Sequence, residues 1–394
     1  MYDVIVVGAG PAGLVCAMST AKAGLKTVVI EAEPEIPKNL RGSTFHPSSL
    51  DMLDDEFGAA RPLIKRGLIA PAVQYRRHNK GKIAEFNFND ISDLTKHPYR
   101  LQAEQYKLCE ILHDMLLNYE NVDLKFSTRV VNLKQEDHSV TVSIESGQQI
   151  KGAYLVAADG ANSIIRQTLN IPFEGFTWPE RFLVASTPFN FQSIFTDLAS
   201  VSYVADPEEW YFLLQIPNGL WRCMFPIRPN ELEKEILSDE NVQARLNRIH
   251  VNSVPYELVH KTLYNVHQRV AKTYRLGRVL LTGDAAHVNN PLGGMGMNGG
   301  IHDSFNLAEK LIPVLKGQTD PSSLDLYDKE RRTVAMDYVQ HVSIQNKNDL
   351  ETADPAEQAA FDARLVASRD NLKKRRELLL KLSMYSSLGK TVTF

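Results

Sequence analysis

Three glycines near the start of the chain, Gly8, Gly10 and Gly13, have a spacing that lets a backbone receive a phosphate. Gly8 permits a tight turn, Gly10 lets a pyrophosphate approach the main chain, and Gly13 lets a helix pack close to a strand. Pro11 and Ala12 complete that segment. A carboxylate, Glu31, followed by Ala32, comes about twenty residues later, where the dinucleotide fold needs an acceptor for ribose hydroxyls. Asp159-Gly160 and Gly283-Asp284 each end a later apolar run, and a glycine-rich loop from Gly293 to Gly300 follows the second pair. The phosphates would sit at a helix N-terminus, where free N–H groups and the helix dipole favour negative charge.

The elements needed to hold these residues are legible around them. Val4 to Val7 is a short β-branched run ended at once by glycine, which reads as a buried strand. Leu14, Val15, Met18 and Ala21 recur at helical spacing, and Gly24 fits just past the helix end. Thr27 to Ile30 is a second strand, and Glu31 stands at its end. Ser48 to Phe57 predicts a short helix, with Leu50, Leu53 and Phe57 on one face. Arg41, in the loop after the second strand, can reach a pyrophosphate with its planar fork of donors.

Residues 61–100 alternate weakly and read as an antiparallel insertion. Leu108, Ile111, Leu112 and Met115 mark an amphipathic helix, and residues 121–133 and 140–150 read as returning strands. Tyr154 to Ala158 is a buried strand before the Asp159-Gly160 turn, and Ser163 to Leu169 starts a helix. Residues 175–270 are rich in aromatics in alternating runs, which predicts a largely antiparallel sheet with helices. Val279 to Thr282 is a further strand. Ile301, Phe305, Ala308, Ile312 and Leu315 then share a helix face, with Gly317 at its cap. The last seventy residues read as helical and polar, and the run Lys373, Lys374, Arg375, Arg376 as a solvated helix face.

The chain has 394 residues, 43% hydrophobic and 23% charged, with a formal charge of −3. That size suits one large or two ordinary domains, and the charge argues against nucleic acid as a main partner. Three scattered cysteines form no C-x-x-C pair, so neither zinc nor a disulfide framework is expected, and a reducing cytoplasm fits best. The first strand begins at once, leaving no room for a targeting segment, and no apolar run is long enough for a membrane span.

Gly8–Gly13, Asp159-Gly160 and Gly283-Asp284, in this order and spacing, resemble the single-component FAD-dependent aromatic hydroxylases, the p-hydroxybenzoate hydroxylase-like monooxygenases. VLLTGDAAHVNNPLGGMGMNGGIHDSFNLAEKL is the most specific piece, and the resemblance runs from residue 1 to about 330. It implies an α/β fold: a Rossmann-like FAD-binding domain of glutathione-reductase type, an inserted mainly antiparallel substrate domain, and C-terminal helices. The implied boundaries are 1–72, 98–175 and 270–330 for the FAD-binding domain, 73–97 and 176–269 for the substrate domain, and 331–394 for the helical region.

Residue by residue, the resemblance implies that Gly8, Gly10, Pro11, Ala12 and Gly13 cradle the FAD pyrophosphate. Glu31 and Ala32 would meet the adenosine ribose, and Arg41 the pyrophosphate. Gln105 would touch the phosphate–ribityl region. Asp159 belongs to a station linked to both FAD and the pyridine nucleotide. Gly283 and Asp284 would meet the ribityl chain. Pro291, Gly294, Gly296, Met297 and Asn298 would wrap the isoalloxazine, the amides of Met297 and Asn298 stabilising charge at its N1–C2=O edge. One departure stands out: the family commonly has two prolines where this chain has Asn290-Pro291.

The implied activity is hydroxylation of a phenolic or related aromatic acid with NAD(P)H and dioxygen, through a flavin hydroperoxide. NADH or NADPH would dock transiently, since the chain has only one dinucleotide fingerprint. Candidate catalytic residues are Pro291 beside the flavin, and His46, Tyr203 and Tyr211 as phenol bases. A homodimer is the default of the family. Hydroxylation or epoxidation of quinone or polyketide-type substrates, or a non-turnover FAD-binding redox module, remain alternatives. A halogenase is disfavoured, because Phe212 and Leu214 stand where its W-x-W-x-I-P motif needs tryptophans.

Overall fold

The structure, a computed structural model, describes residues 1–38 and 42–388. Its first sheet is built on parallel strands in the spatial order Val279–Leu281, Gln149–Ala157, Tyr2–Val7, Thr27–Ile30 and Val122–Lys125. Val4–Val7 and Thr27–Ile30 are buried along their length, as parallel strands enclosed on both faces must be. Val130–Glu136 and Ser139–Ile144 extend the sheet as an antiparallel hairpin beside Gln149–Ala157.

Register does the positioning. Val7 pairs with Ala157 and with Ile30, and Ala157 pairs with Leu281. The segments that follow these residues, beginning at Gly8, Ala158, Glu31 and Thr282, therefore leave one edge of the sheet together. Stations separated by well over a hundred residues in the chain become neighbours at the carboxyl ends of the strands, where open α/β sheets bind ligands.

The second sheet runs His287–Val288, His260–Ala271, Phe173–Thr187, Leu220–Ile227, Tyr211–Ile216, Val201–Ala205, Ala72–Arg77 and Gly81–Asn87. It is antiparallel except between Ala72–Arg77 and Val201–Ala205, which pair in parallel. Alternation gives it two faces. Phe182, Val184, Tyr203, Leu214 and Met224 share one cluster with Leu292 of the glycine-rich loop and with Leu350, Phe361, Leu365, Leu379 and Leu382 of the C-terminal helices. Leu183, Ala185, Tyr211, Trp221 and Phe225 pack on the other side against Val242, Leu246 and Ile249 of the Asp239–Ile249 helix.

Residues 61–100 are less uniform than their alternation suggests. Ala60–Ile64 is helical, and Phe88 lies in a 3₁₀ turn. Leu68–Ala70 joins Arg100–Gln102 and Thr44–Phe45 in a third, small sheet. The basic run also departs from the solvated face expected of it. Lys373 and Lys374 are exposed, but Arg375 pairs with Asp90 at 2.7 Å and Arg376 with Asp93 at 2.8 Å, clamping the last helix to that 3₁₀ turn.

Among the described residues, no helix is long and apolar enough to cross a membrane. No group of three or more His, Cys, Asp or Glu among them is placed to hold a metal ion.

Candidate active site

The first loop is tight because its glycines touch backbone. A Cβ on Gly8, whose φ is +103°, would lie 2.3 Å from the Ala158 carbonyl oxygen, and one on Gly13 would lie 2.0 Å from that of Gly8. Gly10 differs, with nothing within 4 Å of a Cβ position. It caps the Pro11–Lys22 helix without any side-chain bond to the first amides. These are the two halves of an anion cradle: a close-packed glycine turn that fixes the loop, and open space before free N–H groups.

Glu31 fastens the loop to the second strand. Its carboxylate accepts the Ala9 N–H at 2.7 Å and the Glu33 N–H at 3.0 Å, with Ala32 half-buried between. Asp159 accepts the Ile165 N–H at 3.3 Å through Oδ2, while its buried Oδ1 has no partner. Burial raises the pKa of this carboxyl above the ordinary range. An orphaned acceptor at this edge asks for a donor from a ligand.

The later station closes the cradle. A Cβ on Gly283 would lie 3.0 Å from Ala12 Cβ, and one on Gly300 would lie 3.0 Å from Gly283 Cα. The Ser304 hydroxyl donates to the Ala12 carbonyl at 2.8 Å. Asp284 follows directly and is exposed at the strand end. Gly42 meets Gln105 and Met297: a Cβ there would lie 3.2 Å from Gln105 Oε1 and 3.4 Å from Met297 Cβ. Arg41 lies outside the described residues.

Pro291 to Gly294 forms a turn, closed by the Gly294 N–H on the Pro291 carbonyl at 3.0 Å. Gly294, at φ +68°, then caps the Met295–Leu315 helix, so Gly296, Met297 and Asn298 lie in its first turn. Gly296 packs beside Asn289. The Asn298 side chain accepts the His46 N–H at 3.0 Å and donates to the Thr44 and Gly294 carbonyls, both at 2.8 Å. It cross-links the loop to the small sheet.

Two candidate bases are not placed for that task. His46 is fully buried, and its Nε2 lies 2.9 Å from the Gly293 carbonyl and 3.2 Å from that of Gly294. Carbonyls only accept, so Nε2 carries the proton; burial, then the charge of Arg100, pushes the ring well below its ordinary pKa. His46 is a neutral strut under the loop. Tyr211 lies on the far face of the second sheet, its hydroxyl 3.0 Å from His78 Nδ1, because strand alternation turns it away from Leu292. Tyr203 stays on the near face, stacked between Tyr75 at 5.4 Å and Phe212 at 4.7 Å.

One residue escaped the sequence reading. Arg222 is 6% exposed, donates to the Ser43 hydroxyl at 2.9 Å, and leaves Nε and one terminal nitrogen buried without partners. Its strand neighbours place it on the face of Met224 and Leu214, beside the segment that follows Gly42. The available signal was a charge inside the apolar alternation LWRCMF.

An open cradle at Gly10, an unpartnered Asp159 Oδ1 and a glycine-capped helix fit a bound dinucleotide with a ring system under the Pro291–Asn298 loop. The FAD binding domain family matches residues 1–342, and the chain belongs to it. Within that family it is a flavoprotein aromatic monooxygenase, holding FAD and using NAD(P)H and dioxygen. It is 33% identical over 390 residues to para-nitrophenol 4-monooxygenase of Pseudomonas sp. strain WBC-3, covering 96% of this chain and 94% of that one. It is 32% identical over 363 residues to 6-hydroxy-3-succinoylpyridine 3-monooxygenase of Pseudomonas putida, covering 90% of each. The crystal structure of p-nitrophenol 4-monooxygenase from Pseudomonas putida DLL-E4 superposes with a TM-score of 0.91 at 31% identity, over 100% of this chain and 99% of that one.

Proposed function

We propose that this enzyme hydroxylates a single-ring phenol or hydroxypyridine bound as an anion. The observation that carries this reading is Arg222: a buried guanidinium with unpartnered N–H groups is held in place by an anionic ligand. A phenolate, or a ring bearing a nitro or carboxylate group, supplies that charge, and two relatives act on a nitrophenol and a hydroxypyridine. Such a ring would lie between the Tyr75–Tyr203–Phe212 stack and the Pro291–Gly294 loop.

Bound FAD supplies the chemistry, taking electrons from NAD(P)H and activating dioxygen for transfer of one atom to the ring. The chain's residues bind, orient and enclose. Gly8 to Gly13 and Asp284 would hold the phosphates and ribityl chain. Gln105 would touch the phosphate–ribityl region, Met297 and Asn298 would hold the ring system, and Arg222 would favour the ionised phenol whose ring is electron-rich. The aromatic wall and C-terminal helices would exclude water, so that activated oxygen reaches only the substrate. The three cysteines are free and buried, which supports a cytoplasmic setting. The domains would divide at residues 72, 97, 175, 269 and 330, and the protein would form a homodimer, which light scattering would check.

The test is a panel of nitrophenols, hydroxypyridines, hydroxybenzoates and neutral methyl ethers on the purified yellow protein. Anionic members should accelerate NAD(P)H and oxygen consumption and incorporate one labelled oxygen atom from dioxygen. A panel in which no aromatic changes NAD(P)H consumption would overturn the reading.

A further inference from the structure

Asn290, the residue that stands where the family commonly has a proline, is fully buried and all its polar groups are engaged. Its backbone N–H donates to Gln268 Oε1 at 3.1 Å. Its Nδ2 donates to the Ser343 carbonyl at 3.0 Å, and its Oδ1 accepts the Leu292 N–H at 3.1 Å. Its own carbonyl accepts from Asn289 Nδ2 at 2.6 Å. Gln268 is buried too, and completes the circuit by donating to the Ser343 hydroxyl at 3.2 Å. Only an amide side chain on a residue with an N–H makes all these bonds; proline lacks both.

The circuit joins three distant parts of the chain: the Pro291–Gly294 loop, the His260–Ala271 strand and the His341–Glu351 helix. The helix rests directly on the loop, since a Cβ on Gly293 would lie 3.2 Å from Asn346 Nδ2. The next residue, buried Lys347, is fixed by both Glu351 oxygens at 2.7 Å and lies 4.4 Å over the Trp178 ring. The helix is entered through a π-helical turn, Val334–Gln340, a geometry that recurs at functional sites. The helix is thus held to Trp178 through Lys347 and hydrogen-bonded to the residue before the loop through Asn290 and Ser343.

We propose that Asn290 is a positioning residue that latches the Pro291–Gly294 loop to the His341–Glu351 helix, so that the C-terminal region encloses the site only while the loop is in place. The inference rests on the proposed hydroxylase reading. With the latch intact, one oxygen atom goes to the ring and the other to water. With it broken, the two electrons of NAD(P)H and two protons leave with dioxygen as hydrogen peroxide, because the enclosure leaks.

The test compares Asn290→Ala and Asn290→Asp holoenzymes with the parent protein. Aspartate keeps the acceptor for the Leu292 N–H but loses the donor to Ser343, so it separates the local turn from the long-range link. In both variants the yield of hydroxylated product per NAD(P)H should fall at least about threefold, with peroxide making up the difference and FAD content retained. Amide hydrogen exchange across residues 341–351 should quicken about tenfold in both. An Asn290→Asp protein with parental coupling and exchange would overturn the latch, as would an Asn290→Ala protein with parental exchange at 341–351. The exchange result needs no turnover. If no aromatic stimulates NAD(P)H consumption, the hydroxylase reading fails while exchange still decides whether the latch exists.

Discussion

At the scale of single residues, the glycines separate two kinds of constraint. Gly13→Ala drives a methyl group into the Gly8 carbonyl, 2.0 Å away, so it should cost about 1–3 kcal/mol in thermal unfolding and release FAD. Gly10→Ala meets no protein atom within 4 Å, so stability should change by less than about 0.5 kcal/mol while FAD affinity falls. Asp284→Ala should also yield protein with weak or absent FAD, read from its visible spectrum; retained stoichiometric FAD of unchanged affinity would refute the ribityl role. Arg222→Leu should raise KM for anionic aromatics about 10–100-fold, the worth of a charged hydrogen bond, and leave neutral analogues nearly unaffected.

Elements are tied together by a few buried charges. Asp303, fully buried in the Met295–Leu315 helix, receives Arg331 Nε at 2.6 Å and His287 Nε2 at 2.8 Å. Burial alone would raise its pKa, but Arg331 and His287 outweigh it and hold the carboxyl at about 2. Arg331→Met leaves that carboxylate short of its main partner and should lower stability by about 3–5 kcal/mol in denaturant unfolding. Arg376→Ala breaks a pair whose Asp93 carboxylate is exposed and screened by water, and should change stability far less than Arg331→Met in the same denaturant unfolding. Similar charges thus differ in consequence because only one pair is cut off from water. The basic run at 373–376 shows why charge patterning misleads: a sequence displays the arginines, but their carboxylate partners come from an insertion nearly three hundred residues earlier.

For the whole molecule, buried histidines set the acid limit. His302 touches the Ser48, Ser49 and Ser387 hydroxyls at 3.2, 3.0 and 3.1 Å, and burial, reinforced by Arg331, lowers its pKa from 6.5 to about 3. The unfolded chain takes up that proton near pH 6.5 and the folded chain does not, so stability should fall as pH drops from 6.5 toward 3. Each such histidine contributes a slope of up to about 1.4 kcal/mol per pH unit, and His302→Gln should flatten the curve measured by denaturant unfolding. Asp303 adds a later loss: its stabilising contribution is whole above pH 3.8 and gone near pH 2.

The sequence alone was enough for the Rossmann-like start, the order of the three stations and the class of cofactor. Those depend on local turns and apolar runs, where residue type dictates conformation over a few neighbours. The family resemblance also marked Asn290 as a departure from its common pattern. Only the tertiary structure decided which face of the second sheet Tyr203 and Tyr211 occupy, that His46 is a strut, and that Arg222 bonds Ser43 and leaves two buried nitrogens unanswered. It alone showed Asn290 bonded to Gln268 and Ser343. Strand register and long-range contacts settle such matters, and a linear pattern records neither which strands pair nor which buried donors go unanswered.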